Sequence, residues 1–386
     1  MHAQNDRVSA WVLPVIVFSQ FGCTSLWFAV NAVMPELQSV YLLPAHAMGH
    51  LTSSVQFGFI IGTLLFAILT LADRFSPVRV FFTCAVIGAT FNLILLFPFQ
   101  TFYSLLSIRF LIGVCLAGIY PVGMKIAADY YQQGLGKSLG FLVGALVLGT
   151  AFPHALKGFG LALPWQGVLW ITSGLAVAGG TMIYMLGDGP YRTPSMGFNP
   201  TALLTLFKKA TFRKAAFGYF GHMWELYAFW AFVPVILANY VRSVNTSFWA
   251  FIIIGIGSLS CVAAGYLSVK KDTKKVASWA LFISASCCAG SFLILPLHLD
   301  WLKLVFLVIW GITVIMDSPM FSTLVAQNAP VENKGTSLTI VNSIGFLITI
   351  FSIQLLNTLV SYSGSPAVYV ALIIGPILGL IGLLWR

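Results

Sequence analysis

Four side chains able to carry charge stand deep inside long apolar runs of this sequence: Arg109, His222, Glu225 and Asp317. His222 and Glu225 are three residues apart, which places both on one face of a helix. An apolar surrounding disfavours whichever form of each is charged. Passing a proton near neutral pH is therefore the chemistry their spacing suggests. Asp317 stands two residues before Pro319, where a helix is expected to kink. Arg109 keeps its charge and offers a planar fork, suited to a carboxylate or phosphate-like group or to pairing with Glu225 or Asp317. Each of the four also has a plain structural reading, as a hydrogen bond between helices or a buried ion pair.

Uncharged polar and aromatic residues of the same runs are candidates to orient a solute: Asn31, Gln56 and Asn342, with Trp27, Trp224 and Tyr227. Gln20 and Trp230 belong to the same class. Such polar groups also tie helices together, for roughly 0.6 kcal/mol each. His154, after Pro153, reads as an interfacial side chain reaching toward water. Asp73 and Arg74 lie between two apolar runs, and Lys125 and Asp129 are one turn apart at the end of another. These four are expected to form a gate at one membrane face. No His, Cys or carboxylate cluster has metal-ligand spacing, and no Gly-x-x-x-x-Gly-Lys-Ser/Thr loop is present. No metal, nucleotide or other cofactor is expected, and no enzyme chemistry.

Hydropathy sets what must hold these residues. Of 386 residues, 59% are hydrophobic and 8% charged, with a mean hydropathy of +0.93. A soluble domain carries about 25% charged residues. The fold class expected is an all-α membrane protein of about twelve transmembrane helices, since a spanning helix needs about 20 apolar residues. Such runs fall at 11–33, 49–72, 78–98, 102–124, 136–157 and 166–187, then at 213–238, 246–269, 276–297, 301–327, 335–360 and 365–385. The first reads as a retained helix, not a removed signal peptide. All six cysteines lie inside apolar runs as small packing residues.

The net charge of +10 does not form one surface, so no nucleic-acid partner is expected. With the N-terminus in the cytoplasm, only Lys157, Arg242 and Lys303 fall at the opposite side and Arg109 within a helix. The other sixteen basic residues gather on the cytoplasmic side. That skew is what the positive-inside rule produces. It predicts a membrane protein with both termini cytoplasmic.

An internal repeat divides the runs. Gly113 and Pro121 stand eight residues apart in the fourth, and Gly311 and Pro319 repeat that spacing in the tenth, 198 residues later. Ser138-Leu139 after Lys137 is echoed by Ser337-Leu338 after Lys334-Gly335. The reading is two pseudo-symmetric six-helix bundles: residues 1–187, a cytoplasmic linker at 188–212, and residues 213–386. Parallel repeats of this kind place a solute site near the midplane between them.

The chain resembles the major facilitator superfamily over essentially its full length. Ala72-Asp73-Arg74-Phe75-Ser76-Pro77-Val78-Arg79 is similar to the family's cytoplasmic signature. Asp73 and Arg74 are kept, while Leu69 stands at the leading Gly and Ser76-Pro77-Val78 replaces Gly-Arg-Arg. Arg109 with Gly113 resembles its Arg-x-x-x-Gly helix, for which the family implies proton coupling. The Gly-Pro-x-x-Gly-Gly pattern of drug–proton antiporters is missing from the fifth run. Tyr120 to Lys125 and Gly221 to Tyr227 look similar to a bacterial branch, which gives no substrate.

The function expected is secondary active transport of a small solute by alternating access, coupled to protons, with uptake preferred to export. The Arg109 fork admits an anionic solute. Two alternatives stay open: metabolite or drug efflux by proton antiport, and a non-transporting membrane receptor with a transporter fold. The partners are a small-molecule solute, a proton or other ion gradient and the lipid bilayer, with the chain acting as a monomer.

Overall fold

A computed structural model of the chain describes residues 8–131, 135–160, 163–192, 206–242, 244–329 and 334–385. The side chains of residues 73, 135–137, 268–270, 334 and 335 also lie outside that description. The expected linker at 188–212 falls partly outside it, as do the Asp73 side chain and the Lys137 and Lys334-Gly335 portions of the repeat.

No strand occurs among the described residues, and eleven helices are long and apolar enough to cross a membrane. A helix satisfies every backbone group internally, which the hydrocarbon interior demands. The helices are α2 (Ala47–Ile68), α3 (Pro77–Ile94), α4 (Phe102–Tyr130), α5 (Leu135–Gly158), α6 (Trp165–Leu186), α7 (Ala210–Tyr240), α8 (Thr246–Lys270), α9 (Thr273–Ile294), α10 (Asp300–Asn328), α11 (Lys334–Tyr362) and α12 (Pro366–Leu384). Before them, α1 makes its crossing in three pieces: Val12–Thr24, Ala29–Ala32 and Met34–Tyr41.

Where the sequence predicts one helix over 11–33, α1 is broken. Thr24 Oγ1 donates to the Gln20 carbonyl at 2.7 Å and Ser25 Oγ to that of Gly22 at 2.7 Å. Such back-bonding bends a helix. α4 breaks after Ala117, and its second piece opens with Tyr120-Pro121. α10 breaks after Met316, and its second piece opens with Ser318-Pro319. Proline suits the first turn of a helix, where its missing N–H has no partner to lose.

The helix contacts repeat. α1 packs on α5 and α6, α2 on α4, and α3 on α6. Likewise α7 packs on α11 and α12, α8 on α10, and α9 on α12. The two sets of six meet along α2 with α11 and α5 with α8, which exchange under the same duplication. Glycine makes an equivalent close approach in each set. A Cβ on Gly113 would lie 2.1 Å from the Val55 carbonyl oxygen, and one on Gly311 2.0 Å from that of Ile253. Both glycines and both carbonyls are displaced by the same 198 residues.

Candidate functional site

Where the two sets of six helices meet, the path through the molecule is filled by a layer of buried rings. Trp27 and Phe28 come from the unwound stretch of α1, Phe59 from α2, Tyr227 and Trp230 from α7, and Phe346 from α11. Trp27 stacks on Phe346 at a centroid distance of 5.7 Å and lies 5.7 Å from Tyr227, while Phe59 and Phe346 are 4.4 Å apart. Tyr227 and Trp230 are edge-on at 5.3 Å. Polar atoms are set into this layer without partners. The indole N–H groups of Trp27 and Trp230, both atoms of the Gln56 amide and the Ser343 hydroxyl are buried and make no hydrogen bond. Asn31 donates to Thr52 Oγ1 at 2.9 Å, and Asn342 is half-buried.

His222 and Glu225 lie on the opposite side of α7, turned into the last six helices. Glu225 Oε1 accepts from Ser284 Oγ at 2.6 Å, Cys288 Sγ at 3.2 Å and Trp310 Nε1 at 2.5 Å. His222 Nδ1 lies 2.7 Å from Asp317 Oδ1, both side chains being 1% exposed. The ring N–H is not aimed at that oxygen, so the contact is an ion-pair distance without a directed hydrogen bond. The expected His222–Glu225 exchange pair is therefore redrawn: one face of α7 reaches two neighbours, and each residue meets a different one. Trp224 also departs from its expected midplane place. Its Nε1 donates to the Ala371 carbonyl of α12 at 3.2 Å, where Gly375 admits the side chain.

Arg109 is fully buried; both terminal nitrogens of its fork are engaged, while Nε has no partner. Nη1 donates to the Leu26 carbonyl at 3.1 Å and Nη2 to that of Trp27. Unwinding α1 frees these carbonyls, and a cation on α4 satisfies them. No carboxylate stands within ion-pair distance of Arg109 among the described residues. The expected pairing with Glu225 or Asp317 is thus replaced by a backbone contact.

On the membrane face away from the termini, a cavity of about 470 Å³ lies above the ring layer. Its polar lining is amide (Asn31, Gln38, Asn239, Asn357), imidazole (His46, His154) and hydroxyl (Thr246, Ser247, Ser361). His154 is 1% exposed, so it is a cavity residue and not the interfacial one expected. Bonds between the two sets of helices hold this face: Gln354 Nε2 donates to Ser53 Oγ at 2.7 Å and the Gly49 carbonyl at 3.1 Å, and Asn357 to the His46 carbonyl at 3.1 Å. Lys157 pairs with Glu36 nearby.

At the terminal face, Arg74 lines a recess with Arg79, Asp188 and Arg192. Asp188 Oδ1 accepts from Ser76 Oγ at 2.8 Å at the start of α3, and Oδ2 pairs with Arg192 at 3.0 Å. An anion suits a helix N-terminus. Asp129 is buried, and its carbonyl accepts from the Tyr191 amide at 3.0 Å. Lys125 is half-buried on the same piece of α4. Sequence reasoning missed Asp188 here, along with Phe59, Phe346, Ser284, Cys288 and Trp310 at the midplane. Only Trp310 carried a signal, as the neighbour of the repeated Gly311.

The sequence profile of the Major Facilitator Superfamily matches residues 16–353. No protein of curated function matches the chain in sequence. Among solved structures, a bacterial homologue of the human lysosomal transporter Spinster, inward-facing and unoccupied, has a TM-score of 0.69 at 16% identity. The alignment covers 98% of this chain and 95% of that one. The transporter FucP in its outward conformation has a TM-score of 0.69 at 13% identity, with 97% and 99% covered. A variant of FucP, the E. coli fucose:proton symporter, gives 0.69 at 14% identity, with 97% and 98% covered. At these identities the likeness is one of fold alone. With a full-length fold of this kind and a profile match across most of its residues, the chain belongs to the major facilitator superfamily, a family of transporters and not of enzymes.

Proposed function

We propose that the chain is a proton-coupled secondary transporter, taking up a small solute by alternating access of its two halves. The observation that carries this reading is the buried acid pair behind α7. Glu225 and Asp317 lie in an apolar interior, and His222 is the one basic side chain that meets either of them among the described residues. An ionisable group at the centre of a bilayer costs about 2.5–3.5 kcal/mol, so two acids kept there have a task. Taking and releasing a proton is the task open to a carboxylate with neutral donors around it. A proton symporter of the same fold supports the coupling.

In this reading residues 1–187 and 213–386 are the rocking halves. Trp27, Tyr227, Gln56, Asn31 and Asn342 meet the solute at or above the ring layer. Arg109 holds the unwound stretch of α1 in place. Asp73, Arg74, Lys125 and Asp129 belong to the gate at the terminal face, which is cytoplasmic. The protein works as a monomer in the bacterial inner membrane.

The test is proton movement into liposomes that hold the purified protein and a pH-sensitive dye, with native protein compared to Glu225→Gln across a solute panel. A solute-dependent pH change that Glu225→Gln abolishes is the expected result. A change that survives in both Glu225→Gln and Asp317→Asn would remove the acids from coupling.

A further inference from the structure

The far-face cavity has no Asp, Glu, Lys or Arg among its described lining residues. Its polar lining is amide, imidazole and hydroxyl. One member stands out: His154 is 1% exposed, lines the cavity, and its Nε2 has no hydrogen-bond partner. Outside the lining, the indole N–H groups of the ring-layer residues Trp27 and Trp230 and the Gln56 amide are unpaired as well. Native interiors pair their buried polar groups, so an unpaired imidazole nitrogen on a residue of the cavity wall marks the place of a missing partner.

The formal charges of the neighbourhood stand outside the cavity lining. Arg109 is held by the Leu26 and Trp27 carbonyls. Glu225 and Asp317 face away, behind α7. Near the cavity, Glu36 and Lys157 are paired with each other. An ionic solute would shed its water here and meet no counter-charge, which is prohibitive for a desolvated ion. A neutral solute rich in hydroxyls would trade water for imidazole, amide and indole partners. Hydroxyls both donate and accept, and so match a set that mixes N–H donors with amide and imidazole acceptors. The rings below offer apolar faces for stacking. A volume of about 470 Å³ lies in the range of small-ligand sites, about 300–1,000 Å³.

We infer that the solute is an uncharged, polyhydroxylated ring compound of the sugar or cyclitol class, received in the far-face cavity, where His154 and Asn31 hydrogen-bond its hydroxyls. This rests on the transport reading above and replaces an anionic solute with a neutral one.

The experiment is ligand-induced thermal stabilisation of the full chain in detergent, which needs no proton coupling. The neutral probes are D-glucose, D-galactose, L-fucose and myo-inositol, and the charged isosteres are D-gluconate and D-glucosamine. At least one neutral probe should raise the unfolding midpoint, and neither isostere should. His154→Ala should weaken the apparent Kd of that probe about tenfold, equivalent to about 1.4 kcal/mol, and His154→Gln should recover most of it. Asn239→Ala, at the cavity rim, gives a second reading if His154→Ala does not fold. Stabilisation by a charged isostere overturns the inference, as does stabilisation by none of the panel. An affinity unchanged in His154→Ala, or in Asn239→Ala where that variant is used, also overturns it. The liposome assay separates the two readings. A neutral probe that binds without moving protons sinks the coupling and keeps this inference, whereas a charged solute that moves protons does the reverse.

Discussion

A single methyl group tests the duplicated packing. At Gly113 an added Cβ would stand 2.1 Å from the Val55 carbonyl oxygen, and at Gly311 2.0 Å from that of Ile253. Ordinary carbon-to-carbonyl-oxygen contacts are about 3.3–3.6 Å, so each site falls short by more than an ångström. The obstacle is backbone in both cases, with no flexible side chain to swing aside. Either α2 and α4, or α8 and α10, must part, or a helix must bend. Overpacking a tight interior costs about 1–3 kcal/mol, and a rigid carbonyl puts these two near the upper end. Gly174, with nothing within 4 Å, is the control. Alanine in a helix interior there should be neutral or better by about 0.5–1 kcal/mol. All six cysteines are free and five are buried, so a thiol-reactive dye reports unfolding directly. Gly113→Ala and Gly311→Ala should each lower the midpoint by roughly 5 °C, and by similar amounts. Gly174→Ala should leave it unchanged or raise it. A native midpoint for Gly113→Ala would refute the packing, and a fall at only one of the two glycines would refute their equivalence.

Three further outcomes follow from the contacts. Asp317→Asn keeps the volume and removes the partner of His222; solute-dependent proton uptake should drop at least about tenfold while thermal stabilisation by solute persists, and full uptake would take Asp317 out of the coupling set. Trp310→Phe removes one of three donors to Glu225, a loss of about 1 kcal/mol, so uptake should fall about fivefold, and an unchanged rate would mean that this bond does not hold the acid in place. Gln354→Ala deletes two bonds between α11 and α2 at the far face. A cysteine introduced by Phe59→Cys should then react about tenfold faster with an impermeant maleimide added from that face; equal rates would show that those bonds do not latch it.

Much of the architecture is legible in the sequence because the bilayer imposes it. Apolar runs of sufficient length give the crossings, and Gly113 to Pro121 against Gly311 to Pro319 gives the duplication with the correct partners in register. The break in α1 is only partly legible: Gly22, Thr24 and Ser25 mark the place, but the Leu26 carbonyl it frees is satisfied by Arg109, 83 residues away in sequence. The spacing of His222 and Glu225 puts them on one face but is silent on what that face meets. There α9 supplies Ser284 and Cys288, while α10 supplies Trp310 and Asp317. Trp224 lies one residue before Glu225, a rotation of about 100°, and that alone carries it to α12. Phe59 and Phe346 are two of 32 phenylalanines, with no spacing to distinguish them from lipid-facing ones.

α7 is the element through which the acids and the path can affect one another. His222 and Glu225 precede Tyr227 and Trp230 by five residues each, a rotation of about 140° along a helix. The first pair thus faces α9 and α10, and the second pair faces α1 and α11. Pro234 lies inside α7, and its ring displaces the hydrogen bond that would otherwise reach the Trp230 carbonyl, so the helix can bend just beyond the ring layer. Opening a path here must part Trp27 from Tyr227 and Phe346, Phe28 from Tyr227 and Trp230, and Phe59 from Phe346, since these contacts join the two halves. Aromatic pairs contribute about 0.5–1.5 kcal/mol each beyond the burial of their faces, so parting the layer costs those pair energies and the re-exposure of the rings as well. One pH unit is worth about 1.4 kcal/mol per proton. In the transport reading proposed above, the rings seal the path against leakage, and a proton exchanged behind α7 together with solute bound in front of it must supply the free energy that parts them.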